Sequence, residues 1–164
     1  MMPVIKLRRG SGPILALLLL PLLFLPAAPL HAVKTGNVTN TRALSYGRFV
    51  ANTGGTIILN TAGARSQTGG VVLLASGTFT SAAFSLTESG TGKAVGFTTI
   101  TLPVSATMTS GANTMTISNF VSDPANTVLG TGKNSVQVGA TLTVAPNQAP
   151  GNYSGNFVVT VNYQ

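Results

Sequence analysis

Cysteine and tryptophan are absent from this 164-residue chain, which has one histidine, His31, and two acidic residues, Glu88 and Asp123. Each shortage removes a class of chemistry. Without cysteine there is no disulfide, no thiolate nucleophile and no lipid attached at a thiol. Ser-His-Asp and Cys-His catalysis both need a histidine. Zinc and other transition metals need His, Cys or several carboxylates. Glycoside hydrolysis usually needs two carboxylates across one bond. Glu88 and Asp123 each stand in a Gly/Ser/Pro context that reads as a solvated turn. These shortages point to a non-catalytic protein with no cofactor and no metal.

Long apolar runs are also missing. The longest, residues 14–25, is twelve residues interrupted by Pro21. A membrane span needs about twenty. The run follows Lys6, Arg8 and Arg9 and precedes a Pro/Ala stretch ending at His31-Ala32. That layout fits an export signal over residues 1–32, cut after Ala32. A retained anchor is the alternative, opposed by Pro21, Pro26 and Pro29. No stable membrane span is expected after cleavage. His31 would leave with the signal.

Of nine basic residues, three lie in the signal, leaving six against two acids, or +4. The six (Lys34, Arg42, Arg48, Arg65, Lys93 and Lys133) are scattered, whereas a nucleic-acid binder concentrates its charge. No nucleic-acid partner is expected. Residues 33–164 suit a single domain able to bury a core without staples.

What remains is rich in threonine, valine and glycine, and threonine and valine favour strands. Strand-like runs recur at residues 44–50, 56–59, 71–75, 79–87, 95–102, 104–109, 114–118 and 136–144, separated by Gly, Asn and Pro turns. No segment carries apolar residues at helical spacing over three turns. The pattern predicts an all-β, immunoglobulin-like antiparallel β-sandwich of about eight to ten short strands over residues 44–164. Residues 33–43 are polar and weakly patterned and read as a flexible leader that becomes extended against another surface. An outer-membrane barrel would need about eight spans of nine to eleven residues, and most of these runs are shorter and threonine-rich on one side.

That last run is the most informative. From Tyr153 onward, Tyr153, Phe157, Val159, Val161 and Tyr163 share one face, with Gly155 as a gap among them. Ser154, Asn156, Thr160, Asn162 and Gln164 share the other, with Val158 the exception. The run's twelve residues, eleven steps of about 3.4 Å, predict a strand of roughly 37 Å ending at the carboxylate. A long amphipathic strand at a chain end is a candidate for strand addition with a partner. An ordinary final core strand is the competing reading.

Gly90-Thr91-Gly92-Lys93 and Gly130-Thr131-Gly132-Lys133 look alike but fail the phosphate-loop pattern. Thr87 and Thr127 stand where its first glycine belongs, and Ala94 and Asn134 follow the lysines. Tight hairpin turns are the better reading. Asn37-Val38-Thr39 and Asn152-Tyr153-Ser154 match the N-glycosylation triplet, which arises often by chance in a chain rich in Asn and Thr.

Leu44-Ser45-Tyr46-Gly47-Arg48-Phe49 and Gly63-Ala64-Arg65-Ser66 resemble the opening of a secreted bacterial family known as domain of unknown function 4402. Asn113-Thr114-Met115-Thr116-Ile117 and Gly151-Asn152-Tyr153-Ser154-Gly155 fit it too. The ending is also similar to that of chaperone–usher pilins and spore-coat-U-like proteins, with Gly151 and Tyr163 in the places of their glycine and penultimate tyrosine. That resemblance implies a non-catalytic structural subunit at the cell surface, exported to periplasm, surface or medium. Its partners would be a periplasmic chaperone and like subunits, engaged by strand addition through Gly151, Tyr153, Phe157, Val159, Val161 and Tyr163. Val38 breaks the parity of Val33 and Ala43, so the leader is a poor donor strand. A self-contained β-sandwich binding or adhesion module is the alternative.

Overall fold

Alternation decides the centre of the molecule. In the segment 136–144, Val136, Val138, Leu142 and Val144 are buried, and Thr143 between the last two is exposed. This is one rung of an antiparallel structure, described by a computed structural model over residues 36–88, 97–124 and 135–163. Among these residues there is no helix. The strands are β1 (Gly36–Arg42), β2 (Ser45–Tyr46), β3 (Phe49–Val50), β4 (Gly55–Leu59), β5 (Arg65–Gly69), β6 (Val72–Leu73), β7 (Phe79–Thr80), β8 (Ala82–Glu88), β9 (Phe97–Thr101), β10 (Ser105–Ser110), β11 (Asn113–Asp123), β12 (Ser135–Val144) and β13 (Thr160–Tyr163). All pairings are antiparallel. The all-β expectation is therefore met. The thirteen pieces exceed eight to ten because turns and bulges cut longer runs.

The main sheet runs β1-β8-β12-β11-β10. The other half of the β8-facing edge of β12 is taken by β4, which pairs in turn with β5. Register places Thr107, Thr116, Thr143, Thr56 and Thr68 in one row across five strands. Thr56 Oγ1 and Thr68 Oγ1 lie 2.7 Å apart in a hydrogen bond. Ala106, Ile117, Leu142 and Ile57 form the neighbouring row and point the other way, into the core. Period-two alternation thus gives a solvated hydroxyl face and a dry apolar one.

The sheet curls. Phe157, beyond β12, β11 and β10 in the strand order, places its ring 6.2 Å from Phe84 on β8. Its ring also lies 5.0 Å from Phe120 on β11. Two apolar clusters fill the interior. One gathers Tyr46, Ile57, Leu59, Met115, Ile117 and Leu142, and the other Ala82, Leu86, Ile100, Val136 and Val138.

The leader expectation is corrected. Residues 36–42 are strand β1, paired with β8 from Gly36↔Glu88 to Arg42↔Ala83. Together β1, β2 and β3 form one interrupted run along β8, β7 and β6. The sequence gives no hint because β1 buries almost no side chain. It is held by backbone bonds to a strand some forty residues away, and periodicity does not report those. The continuous final strand is also corrected. Only Thr160–Tyr163 is a strand, paired with β9. Upstream, Ser154 makes a lone bridge to Thr109 on β10. The signal segment, residues 33–35, both Gly-Thr-Gly-Lys turns and Gln164 lie outside the described residues.

Candidate partner-binding groove

The two ends of the curled sheet are edges. Among the described residues, the run 36–50 pairs with β6, β7 and β8 on one side, and the C-terminal segment meets β10 and β9 on one side. Following the antiparallel pairings across β8, β12, β11 and β10 shows that these edges run in opposite senses. Between residues 44–52 and 147–153 lies a groove of about 990 Å³. Met108, Met115 and Leu142 line it from the apolar face of the sheet. It is closed at one end by the Asn147 N–H, which donates to the Asn52 carbonyl at 2.9 Å.

The N-terminal wall is clamped by arginine. Arg65, on β5, donates from Nη1 to the carbonyls of Tyr46 at 2.6 Å and Arg48 at 3.2 Å. Its Nη2 donates to the Leu74 carbonyl at 2.8 Å. Its guanidinium stacks 4.4 Å from the centre of the Phe79 ring. Gly47 is at φ 69°, and a Cβ there would stand 2.8 Å from Arg65 Nη1. Only glycine allows both the left-handed turn and the close pass of the guanidinium. Arg42 makes a second clamp: Nε donates to the Ser81 carbonyl at 2.8 Å, and Nη2 donates to Gln137 Oε1 at 2.6 Å and Ser81 Oγ at 2.9 Å. Both cations are satisfied by neutral oxygens rather than carboxylates.

Tyr46, at 4 % exposure, is the polar member of the first cluster. Its hydroxyl is buried and has no hydrogen-bond partner among the described residues. Burial pushes the phenol well above its ordinary range, because the phenolate would lose its hydration.

The C-terminal wall is held differently. Tyr153 donates its hydroxyl proton to the Ala149 carbonyl at 2.7 Å and accepts from Gln148 Nε2 at 2.9 Å. This corner fixes the approach to the segment, as a tyrosine does in many β-sandwiches. Thr109 and Ser154 exchange backbone bonds of 2.8 and 3.0 Å. Gly155 then passes so near Thr107 that a Cβ would run into its carbonyl. Phe157, Val159 and Val161 turn toward the second cluster, and Val158 is 73 % exposed. The inward and outward parity is as expected from Tyr153 to Val161.

Of the residues expected to bind a partner, Gly151 and Tyr153 line the groove. Phe157, Val159 and Val161 are half-buried against the second cluster. Tyr163 pairs through its backbone with Phe97. The opposite wall and its clamps had no counterpart in that set. One signal was available: in a chain with two acidic residues, Arg65 must find carbonyl partners or stay in water. The structure joins the Tyr46 block to the Arg65 block directly.

The chain belongs to the family described as Domain of unknown function (DUF4402), whose model matches residues 37–163. No curated protein and no solved structure matches it.

Proposed function

We propose that this protein is an exported, non-catalytic structural subunit, pilin- or coat-like, which assembles at the cell surface by accepting a β-strand from a partner. The groove between two opposed edges with an apolar floor carries this reading. An inserted strand would run parallel to one wall and antiparallel to the other. Its backbone would supply affinity and its alternate side chains register. A periplasmic chaperone and neighbouring subunits are the partners this reading calls for.

The test is recovery from the periplasm. Deleting residues 157–164 is expected to abolish recovery of folded protein, and the intact protein is expected to co-purify with a strand-donating chaperone. A stable solitary monomer that takes up no strand-forming peptide would overturn the proposal. The second reading, a self-contained binding or adhesion module, is favoured by the packing of Phe157 against Phe84 and Phe120, which fills the core from within the chain. It expects reversible two-state unfolding of a monomer.

A further inference from the structure

Among the described residues three guanidinium groups occur, and two are committed, Arg42 to Ser81 and Gln137, Arg65 to three carbonyls. Arg48 differs. Its side chain is exposed, lines the groove and, among the described residues, makes no hydrogen bond, ion pair or ring contact. Its root is nonetheless fixed. The Arg48 carbonyl accepts from the Leu74 N–H at 3.0 Å and from Arg65. The stem passes close to Gly77, where a Cβ would stand 3.1 Å from Arg48 Cγ. A charge on a held backbone, free at its tip, stands beside a groove that Met108, Met115 and Leu142 line and that has no acidic residue in its lining.

Building on the strand-accepting reading, we infer that Arg48 selects the entering strand by a carboxylate, from an Asp or Glu side chain or from the strand's own C-terminus. A planar guanidinium offers paired donors that match a carboxylate. An incoming lysine or arginine at the same position is repelled. Apolar alternation alone fits any amphipathic strand, so a single charge at the rim supplies register and partner choice.

The experiment titrates the purified protein with C-terminally amidated twelve-residue peptides of alternating Val and Thr. The parent carries Gln at one outward position, and in a set of variants a single Glu is walked along the outward positions. A further parent has a free C-terminal carboxylate. At one position, Glu or the free terminus is expected to bind about fivefold tighter than the Gln parent at low salt. Arg48→Gln should erase the preference while leaving thermal stability unchanged. The preference should also fade at about 0.5 M salt, where the Debye length is only about 4 Å. A preference for the free terminus over every internal Glu assigns the carboxylate to a chain end, and the reverse to a side chain. Equal binding of all peptides, or a preference that survives Arg48→Gln, would overturn the inference and leave the groove reading intact. No binding of any peptide, parent included, would overturn both.

Discussion

The two walls of the groove reach similar positions by opposite means. The N-terminal wall buries few side chains, and its β1 portion is exposed almost throughout. It stays in place because Arg65 and Arg42 reach in from neighbouring strands and from the wall itself to tie backbone and side-chain oxygens together. Among the described residues no arginine clamps the C-terminal wall. Between the Tyr153 corner and β13 it makes one pair of backbone bonds, at Thr109–Ser154, and otherwise hangs on inward-facing Phe157 and Val159. Polar ties fix geometry at specific points, whereas apolar contacts tolerate a shift of the chain. A wall held by contacts can yield to an entering strand while a wall held by bonds gives it a rigid template.

The sharpest way to break this contrast is to remove the C-terminal anchor. Phe157→Ala deletes a half-buried ring that touches Phe84 and Phe120. A loss of about 2–3 kcal/mol is expected, below the range for a fully buried phenylalanine. Amide exchange should rise at Ser154 and along residues 157–161 while β2 and β3 remain protected. Equal exchange at both walls would mean that they open as one unit.

Arg65→Ala attacks the other wall. It strips donors from three carbonyls and removes the stacking on Phe79, with an expected loss of about 2 kcal/mol in denaturant unfolding. Fast exchange should now appear at residues 45–50 and not at residue 154. Arg65→Lys is expected to recover little, because one ammonium cannot span the Tyr46 and Leu74 carbonyls as the fork does. Full rescue by lysine would reduce the clamp to a generic positive charge.

The difference between the walls also explains what the sequence made legible. Buried strands advertise themselves by parity, and residues 136–144 and 153–161 were readable for that reason, down to the outward Val158. Continuity was not readable. Gly155 lets the backbone press against Thr107, and the ladder does not resume until Thr160. The leader was misread because Gly36–Arg42 is specified by backbone pairing rather than by its own apolar residues. The groove was only half legible. Gly151 and Tyr153 lie in the stretch whose alternation drew notice, while Arg48 and Tyr46 acquire meaning through Arg65, seventeen and nineteen residues away.

A finer probe concerns the corner that leads into the C-terminal wall. Tyr153→Phe keeps the ring and deletes the bond to the Ala149 carbonyl. About 1 kcal/mol of stability should go with it. Gln148 still donates to the Thr114 carbonyl at 3.2 Å, so the loop keeps one tie. If Tyr153 served only as a partner contact, stability would not change.

The smallest effect separates side chain from backbone within the N-terminal wall. Arg65 grips the carbonyl of Tyr46, not its hydroxyl, which is buried and unpartnered among the described residues. Tyr46→Phe should therefore leave the clamp intact and relieve a desolvated polar group, raising stability by about 0.5–1 kcal/mol at neutral pH. The pH dependence carries a sign. Burial raises the folded-state value above the unfolded one, which lies near 10, so the neutral phenol favours folding fully below about pH 10. As pH rises past that point the unfolded chain sheds its proton first, and wild-type stability falls. Unfolding curves at pH 9 and pH 11 should show a decline in the wild type that is partly flattened in Tyr46→Phe. The two other tyrosines are present in both proteins and cancel from the comparison. Parallel declines would mean that the Tyr46 hydroxyl gains a partner in solution, which would place polar capacity under the rigid wall as well as at its rim.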